Sequence, residues 1–592
     1  MNNKYISRPS NYDKYPVVGV PGMEKEGVKG WDAIVARLRG DLKNPDEEVK
    51  VVVVECYQGV LDDEVRTTLR SGFPEAIWFD SSEAMLTAEE ISAVLKQDIT
   101  DDEIFGYMTR LNMDCYFDPE KVEKLRRSIA SVQKGVVFVY GTGAAYVQSR
   151  HDLLVYADMA RWEIQMRFRR NEVSNVGVAN KEERASLQYK RAFFVDWRVC
   201  DRFKKKLMKS WDYVLDTNVA GEPKMATGKA VWAGLGKASR TPFRVVPFFD
   251  PGPWGGQWMK EVCDLDREAA NFAWCFDCVP EENSLYLGFG EIRFEIPSVD
   301  LVFAYPARLL GNPVYGRFGD EFPIRFDFLD TMEGGNLSLQ VHPLTQYIQE
   351  KFGMHYTQDE SYYMLDTTED AIVYLGLKEG VDSQEMIDAL TVAQTTGKFD
   401  AEKYVGQYPV KKHDHLLIPA GTIHCSGQNG MVLEISATPF IFTFKLWDWG
   451  RLGLDGRPRP INIGHGKEVI QWNRTESWVR KEILNRIEPV AQGEGWTEER
   501  TGLHENEFIE TRRHWFTAPV LHYTEGSVNV LNLVEGREAM VESPEGKFDP
   551  FVVHYAETFI IPESVKEYTI RPCGESEGQR CATIKAYVKH NS

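Results

Sequence analysis

With 592 residues, 43% of them hydrophobic, the chain is long enough for roughly three to four domains with sizeable cores. A formal charge of −20 at pH 7 excludes non-specific nucleic-acid binding, because neutralising phosphates takes clustered Lys and Arg. The longest apolar runs, such as Val51–Val54 and Gly135–Tyr140, fall far short of a membrane span, and the opening MNNKYISRPSNYDKYP has no apolar core of signal-peptide length, so a cytoplasmic globular protein is expected. Nine cysteines, an odd number spread over the whole length, fit reduced thiols in that compartment.

An N-terminal extension over 1–45 is followed by a stretch, 46–235, in which strands and amphipathic helices alternate. Lys50–Val54 (KVVVV) reads as a buried parallel strand, and the Val60, Val65, Leu69 spacing after it suits a helix. Gly135–Tyr140 and Asp152–Tyr156 are further strands. Helix patterns lie at Ser82–Lys96 and at Asp118–Val132, where Pro119 takes an early helical position. This alternation predicts an α/β domain with a mostly parallel sheet. The loop Glu55–Leu61 after the first strand and the turn Gly141-Thr142-Gly143 after the second stand where a phosphate loop would. The domain thereby resembles the P-loop sugar and nucleoside kinases in a degenerate form. Neither loop has the full G-x-x-x-x-G-K-[ST], so the Lys for the β/γ-phosphates and the hydroxyl for Mg²⁺ are both missing. A non-catalytic domain is expected, with nucleotide binding the less favoured reading. Arg161, Arg167, Arg169 and Arg170, on a predicted helix over Asp158–Arg170, fit either the Arg-rich region of such kinases or a solvated face.

Gly221–Arg244 concentrates Gly, Pro, Ser and Lys and reads as a linker. Beyond it, short strands recur at turn-punctuated spacing, as in an all-β jelly roll over 245–486. Cys275 and Cys278 form an isolated C-x-x-C in a strand-like aromatic stretch and are expected to be packing residues. Three segments then carry metal-ligand types: NLSLQVHP (Asn336–Pro343), QDESYYMLD (Gln358–Asp366) and LIPAGTIHCSG (Leu417–Gly427). Gln340 and His342 stand two apart in a strand-like run and so face the same side. Glu360 opens an aromatic stretch, and His424 follows a Pro-Ala-Gly turn. Two imidazoles, a carboxylate and an amide oxygen suit Zn²⁺ or a similar divalent ion with a position left for water or substrate. A helical insertion, Asp382–Val392 with Phe399–Tyr408, separates Glu360 from His424. A second, metal-free jelly roll is expected over 487–592, with strands at Val520–Tyr523, Val528–Leu533, Phe551–Val553 and Thr558–Ile561. Its His514, His522 and His554 read as core or surface residues.

From about Pro247 to Lys589 these motifs, in order, resemble the type I mannose-6-phosphate isomerase family, zinc-dependent enzymes built from two cupin (jelly-roll) domains. The elements that carry the resemblance are FDPGPWGG (Phe249–Gly256), FPIRFDFLDTMEGGNLSLQVHP (Phe322–Pro343), Glu360, IPAGTIH (Ile418–His424), Leu433-Glu434 and LWDWGR (Leu446–Arg451). The resemblance implies that His342, Glu360 and His424 hold one Zn²⁺ or another divalent ion, with Gln340 as a fourth ligand. The activity it implies is aldose–ketose isomerisation of mannose 6-phosphate, a small sugar phosphate, to fructose 6-phosphate through an enediol.

Several positions depart from the family pattern. Gln358 stands where the family has a Lys, Lys445 where it has a catalytic Arg, and Leu344 where it has an acidic position; the stretch ISATPFIFTF lacks the polar residues of the family. Arg and Lys are not equivalent at a bidentate phosphate site, so the substrate can differ. Glu434 is the candidate base, with orientation of a ligand or substrate hydroxyl as the alternative. Lys445 would stabilise the enediolate. Arg451 and Arg459 are candidate phosphate contacts, and Gln358 and Trp254 candidate substrate contacts. Two other functions stay open: a non-catalytic sugar or sugar-phosphate sensor, and an isomerase or epimerase of an unphosphorylated sugar.

Overall fold

The computed structural model describes residues 4–42, 48–452, 459, 461–502, 504–505 and 507–589. It divides into two compact units, Val17–Lys237 with Ser284–Ala304, and Met1–Pro16 with Ala238–Asn283 and Tyr305–Ser592. No helix among the described residues is long and apolar enough to cross a membrane.

The α/β unit is built on a seven-stranded sheet. Its parallel strands run in the spatial order Tyr213–Asp216, Leu153–Asp158, Val49–Cys56, Gly135–Gly141, Ile77–Asp80, and Lys224–Thr227 and Gly27–Lys29 extend one edge antiparallel. Val52, Val53 and Val54 are fully buried, as a strand covered on both faces requires. Asp118 caps the helix Pro119–Ala130 by accepting from the amides of Glu120 and Lys121. The Glu55 carboxylate accepts from the Gly143 and Ala145 amides at 2.7 and 2.8 Å. An internal carboxyl, pushed up to about 8 by burial, therefore occupies the glycine turn that a phosphate would need. The helix after the first loop opens with Asp62, Asp63 and Glu64, which already complement its positive end. Arg161 pairs with Asp201 and so ties two helices, and buried Arg167 donates to the Gly59 and Thr217 carbonyls and so holds two loops; neither belongs to a solvated face.

The unit boundaries differ from the composition-based expectation. The 1–45 extension contributes two short strands, Val17–Gly19 and Gly27–Lys29, and the helix Trp31–Asp41 to the α/β unit. The expected linker holds the strand Lys224–Thr227 and the helix Gly228–Ala238, because Val231 and Leu235, four apart, bury one helix face despite the glycines around them. The hairpin Ser284–Phe289 and Ile292–Pro297 pairs with Val17–Gly19 and delivers Asp300, which with Asp158 clasps the buried Lys204 ammonium at 3.0 and 2.7 Å.

In the second unit, two sheets face each other as a first jelly roll. One runs His415–Ile418, Glu360–Thr367, Gly430–Ala437, Ile324–Asp330, Trp274–Cys278, Phe248–Asp250; the other runs Val405–Pro409, Ile372–Leu377, His424–Ser426, Leu339–Val341, Phe444–Trp447. Cys275 and Cys278 are buried free thiols in this sandwich. The insertion forms the helix Ser383–Thr396 and one short turn, Ala401–Tyr404; the rest of the segment expected to be helical is the strand Val405–Pro409, whose Val405 and Tyr408 are buried. A second two-sheet roll follows, with strands from Glu488–Gly493 to Cys581–Val588 around an apolar core that includes Phe516, Leu531, Phe559 and Ile570. His514 and His522 lie buried within it with ring centroids 4.4 Å apart, and His554 pairs with Glu557.

Candidate metal centre

His342, Glu360 and His424 converge from three strands, their ligand atoms within 4.8 Å of one another and all three side chains buried. The strand Leu339–Val341 presents Gln340 and, one step past its end, His342 to the interior; Pro343 then stops the ladder. His424 begins its own strand after the turn Pro419–Thr422. Gly421 makes that turn feasible: its φ is 88°, and a Cβ there would lie 2.9 Å from the Val469 carbonyl oxygen. The Gly421 amide donates to the His342 carbonyl at 2.9 Å, which ties the two imidazole-bearing segments together.

Both imidazoles are oriented from behind. His424 Nδ1 lies 2.9 Å from the Thr422 carbonyl and His342 Nδ1 3.3 Å from the Phe442 carbonyl. A carbonyl oxygen only accepts, so both Nδ1 atoms carry the proton and both Nε2 lone pairs face inward. These Nε2 atoms lie 3.1 Å (His342) and 2.7 Å (His424) from the Glu360 carboxylate oxygens. His342 Nε2 and Glu360 Oε1 nevertheless have no aligned hydrogen-bond partner. A tetrahedral ion with bonds of about 2.0–2.1 Å holds its ligands roughly 3.3 Å apart, so the donor set fits a divalent ion of that size. Burial alone would raise the Glu360 carboxyl, but charge and N–H donation from the two imidazoles when protonated hold it well below the ordinary range, a part that a bound cation would take over once their Nε2 lone pairs are free. Gln340 places its amide 3.2 Å from His424 Nε2, and turning that amide over would offer its oxygen as a fourth ligand.

Gln358 donates to Glu360 at 2.9 Å and to Glu434 at 3.1 Å, so it bridges ligand and candidate base. Glu434 also accepts from Arg325 at 3.2 Å, and Arg325 holds Asp327 at 2.7 Å. Burial, then the Asp327 and Glu360 carboxylates, push the Glu434 carboxyl well above its usual value, with Arg325 opposing. Lys445 lies directly across from Gln340, and burial followed by the neighbouring Arg459 lowers its ammonium to about 7. Arg451 and Arg459 bind Asp448 at 2.8 and 3.0 Å, and Asp448 also accepts from Ser338, two residues before Gln340. Two arginines thus share one carboxylate beside the ligand strand, with Lys445 near them. Trp254 is buried edge-to-face against Trp274 at 4.8 Å, and its carbonyl accepts from Gly335.

Arg325, Asp327 and Arg474 escaped sequence reasoning. The first two carried a signal, being polar residues two apart inside the otherwise apolar FPIRFDFLD, which marks an inward polar pair. Arg474 reaches the Pro419 and Ala420 carbonyls at 2.8 and 2.7 Å and the Thr422 hydroxyl at 2.5 Å, bracing the turn before His424.

A family model described as a domain of unknown function, DUF8485, matches residues 30–240. Mannose-6-phosphate isomerase ManA of Bacillus subtilis (strain 168) is 24% identical over 236 residues, 39% of this chain and 68% of that protein. The mannose-6-phosphate isomerase of Streptococcus mutans serotype c is 25% identical over 237 residues, 38% of this chain and 68% of that protein. Among solved structures, a zinc-bound holo mannose 6-phosphate isomerase matches 59% of this chain and 100% of its own, with 16% identity and a TM-score of 0.45. Over about 40% of its length, this chain is homologous to mannose-6-phosphate isomerases.

Proposed function

We propose that the protein is a metal-dependent aldose–ketose isomerase that interconverts mannose 6-phosphate and fructose 6-phosphate, or a closely related sugar, with Zn²⁺ held by His342, Glu360, His424 and Gln340. The observation that carries this reading is the buried His342–Glu360–His424 cluster, whose ligand atoms converge on one centre, with His342 Nε2 and Glu360 Oε1 lacking aligned partners. The bound ion would supply Lewis acidity toward developing negative charge on the substrate oxygen. Glu434 is the base that moves the proton between carbon 1 and carbon 2. Burial and the neighbouring carboxylates raise its proton affinity, as a base that takes a carbon-bound proton requires. Gln358 and Arg325 fix the Glu434 carboxylate through hydrogen bonds at 3.1 and 3.2 Å. Lys445, Arg451 and Arg459 bind the phosphate end, where the two arginines share one Asp448 carboxylate and Lys445 lies across from Gln340.

The α/β unit serves a non-catalytic role, since the Glu55 carboxylate fills the glycine turn from within. Incubation of mannose 6-phosphate with metal-loaded protein in D₂O tests the chemistry. Deuterium entering carbon 1 or carbon 2 together with ketose formation supports the enediol route; ketose formed with complete retention of hydrogen speaks for direct hydride shift.

A further inference from the structure

Three adjacent strands of the first jelly roll set two rows of directly opposed residues. Glu360, Ser436 and Arg325 form one row, and Tyr362, Glu434 and Asp327 the next. Directly opposed residues in an antiparallel sheet share a face, and Glu360 identifies this face as the one lining the metal cluster. Ser436, Tyr362 and Asp327 have 0% exposure, yet the Ser436 hydroxyl, the Tyr362 hydroxyl and Asp327 Oδ1 have no hydrogen-bond partner. The same holds for Oε1 of buried Gln358, whose amide nitrogen is committed to Glu360 and Glu434.

Each buried polar atom left unmet costs about 1–3 kcal/mol, and such atoms are uncommon enough that four on one wall call for an explanation. Their chemistry is specific. Two hydroxyls can donate or accept, while a carboxylate oxygen and an amide oxygen accept. The cation on this wall, Arg325, is bound through its two terminal nitrogens to Glu434 and Asp327, which leaves only its Nε–H as a donor. A phosphate would meet two fixed acceptors here, Asp327 Oδ1 and Gln358 Oε1, where it needs donors. Sugar hydroxyls, which donate and accept, match all four positions.

We propose that Ser436, Tyr362, Asp327 and Gln358 are substrate-contacting residues that read the hydroxyls of a polyhydroxylated chain, while its anionic end lies against the opposite sheet near Lys445. This assignment rests on the isomerase reading for the identity of the sugar. It makes the enzyme selective for hydroxyl configuration at carbons beyond the reacting pair, because an unmet buried acceptor penalises any analogue lacking the matching hydroxyl.

Binding of mannitol 1-phosphate, a polyol phosphate that cannot isomerise, is measured by calorimetry on the metal-loaded full chain and on Ser436→Ala, Tyr362→Phe and Asp327→Asn. Turnover of mannose 6-phosphate is followed in parallel. Each variant is expected to bind the polyol phosphate about 10- to 100-fold more weakly at unchanged metal content. The first two variants remove one oxygen each and guard against misfolding of Asp327→Asn. Binding within twofold of the parent in Ser436→Ala and Tyr362→Phe overturns the proposal, even if the parent isomerises mannose 6-phosphate. Variant-sensitive binding without any turnover upholds the hydroxyl-reading wall and discards the isomerase. Absence of polyol binding by the parent overturns the proposal.

Discussion

Lys445 stands directly across from Gln340 in the antiparallel pair of Phe444–Trp447 with Leu339–Val341, so its ammonium shares the interior face with the metal-ligand set. This places a cation, lowered to about 7 by burial and by Arg459, between the metal cluster and the Asp448 group.

The pH dependence follows from that value. Below about 7 Lys445 is charged and attracts an anionic substrate; above it the ammonium is lost. KM for mannose 6-phosphate is therefore expected to rise as pH increases from 6.5 to 8.5, by about three- to tenfold for the loss of one partly buried charge contact. Lys445→Arg, always charged, should flatten the rise. A wild-type KM that is constant over this interval contradicts the placement.

Replacing His342 or His424 by Ala removes one of two imidazole ligands. Bound metal should fall from about one ion per chain to a small fraction, and turnover by more than about a hundredfold, since even outer-shell changes cost 10- to 100-fold. Elemental analysis alongside circular dichroism separates metal loss from unfolding.

Arg474→Ala should act through the turn that it braces. Metal affinity is expected to drop about 10- to 100-fold while kcat at saturating metal stays near the parent value. A fall in kcat with metal affinity intact would mean that Arg474 serves the substrate instead.

Glu434→Gln keeps the shape of the side chain and removes its basicity. Metal content should be unchanged and kcat reduced by about 10²- to 10⁴-fold, the usual contribution of a positioned base. Rapid turnover by this variant would leave Glu434 with an orienting role only.

In the α/β unit, Lys204→Ala leaves Asp158 and Asp300 buried together without their cation. Denaturant unfolding should show a loss of about 3–5 kcal/mol. Adding Asp300→Asn should recover part of it, because burial and the adjacent Asp158 carboxylate already raise the Asp300 carboxyl well above its normal range.

Much of this molecule was readable from local pattern. The KVVVV strand and the Asp118-Pro119 helix start depend on neighbours in sequence and lie where periodicity and capping place them. Gln340 and His342 face one way because strands alternate, and His424 arrives through a turn whose positive φ at Gly421 favours glycine. What pattern could not reveal is set by distant partners. The Ser284–Ala304 segment joins the α/β unit through pairing with Val17–Gly19 and the Asp300–Lys204 contact, neither of which leaves a trace in local composition. The Gly-rich 221–244 stretch resembled a linker because glycine count masks the Val231–Leu235 face. Arg325 and Asp327 were visible as polar residues in an apolar strand, but their tie to Glu434 exists only through sheet register.

The most direct test of the central claim is a coupled assay for fructose 6-phosphate, run on zinc-loaded protein with mannose 6-phosphate, with unphosphorylated mannose in parallel and a chelator control. Turnover of the phosphate ester that the chelator abolishes and zinc restores is the predicted result. No turnover of either sugar by fully zinc-loaded protein, or turnover indifferent to the chelator after the metal has been shown to be gone, would contradict the account.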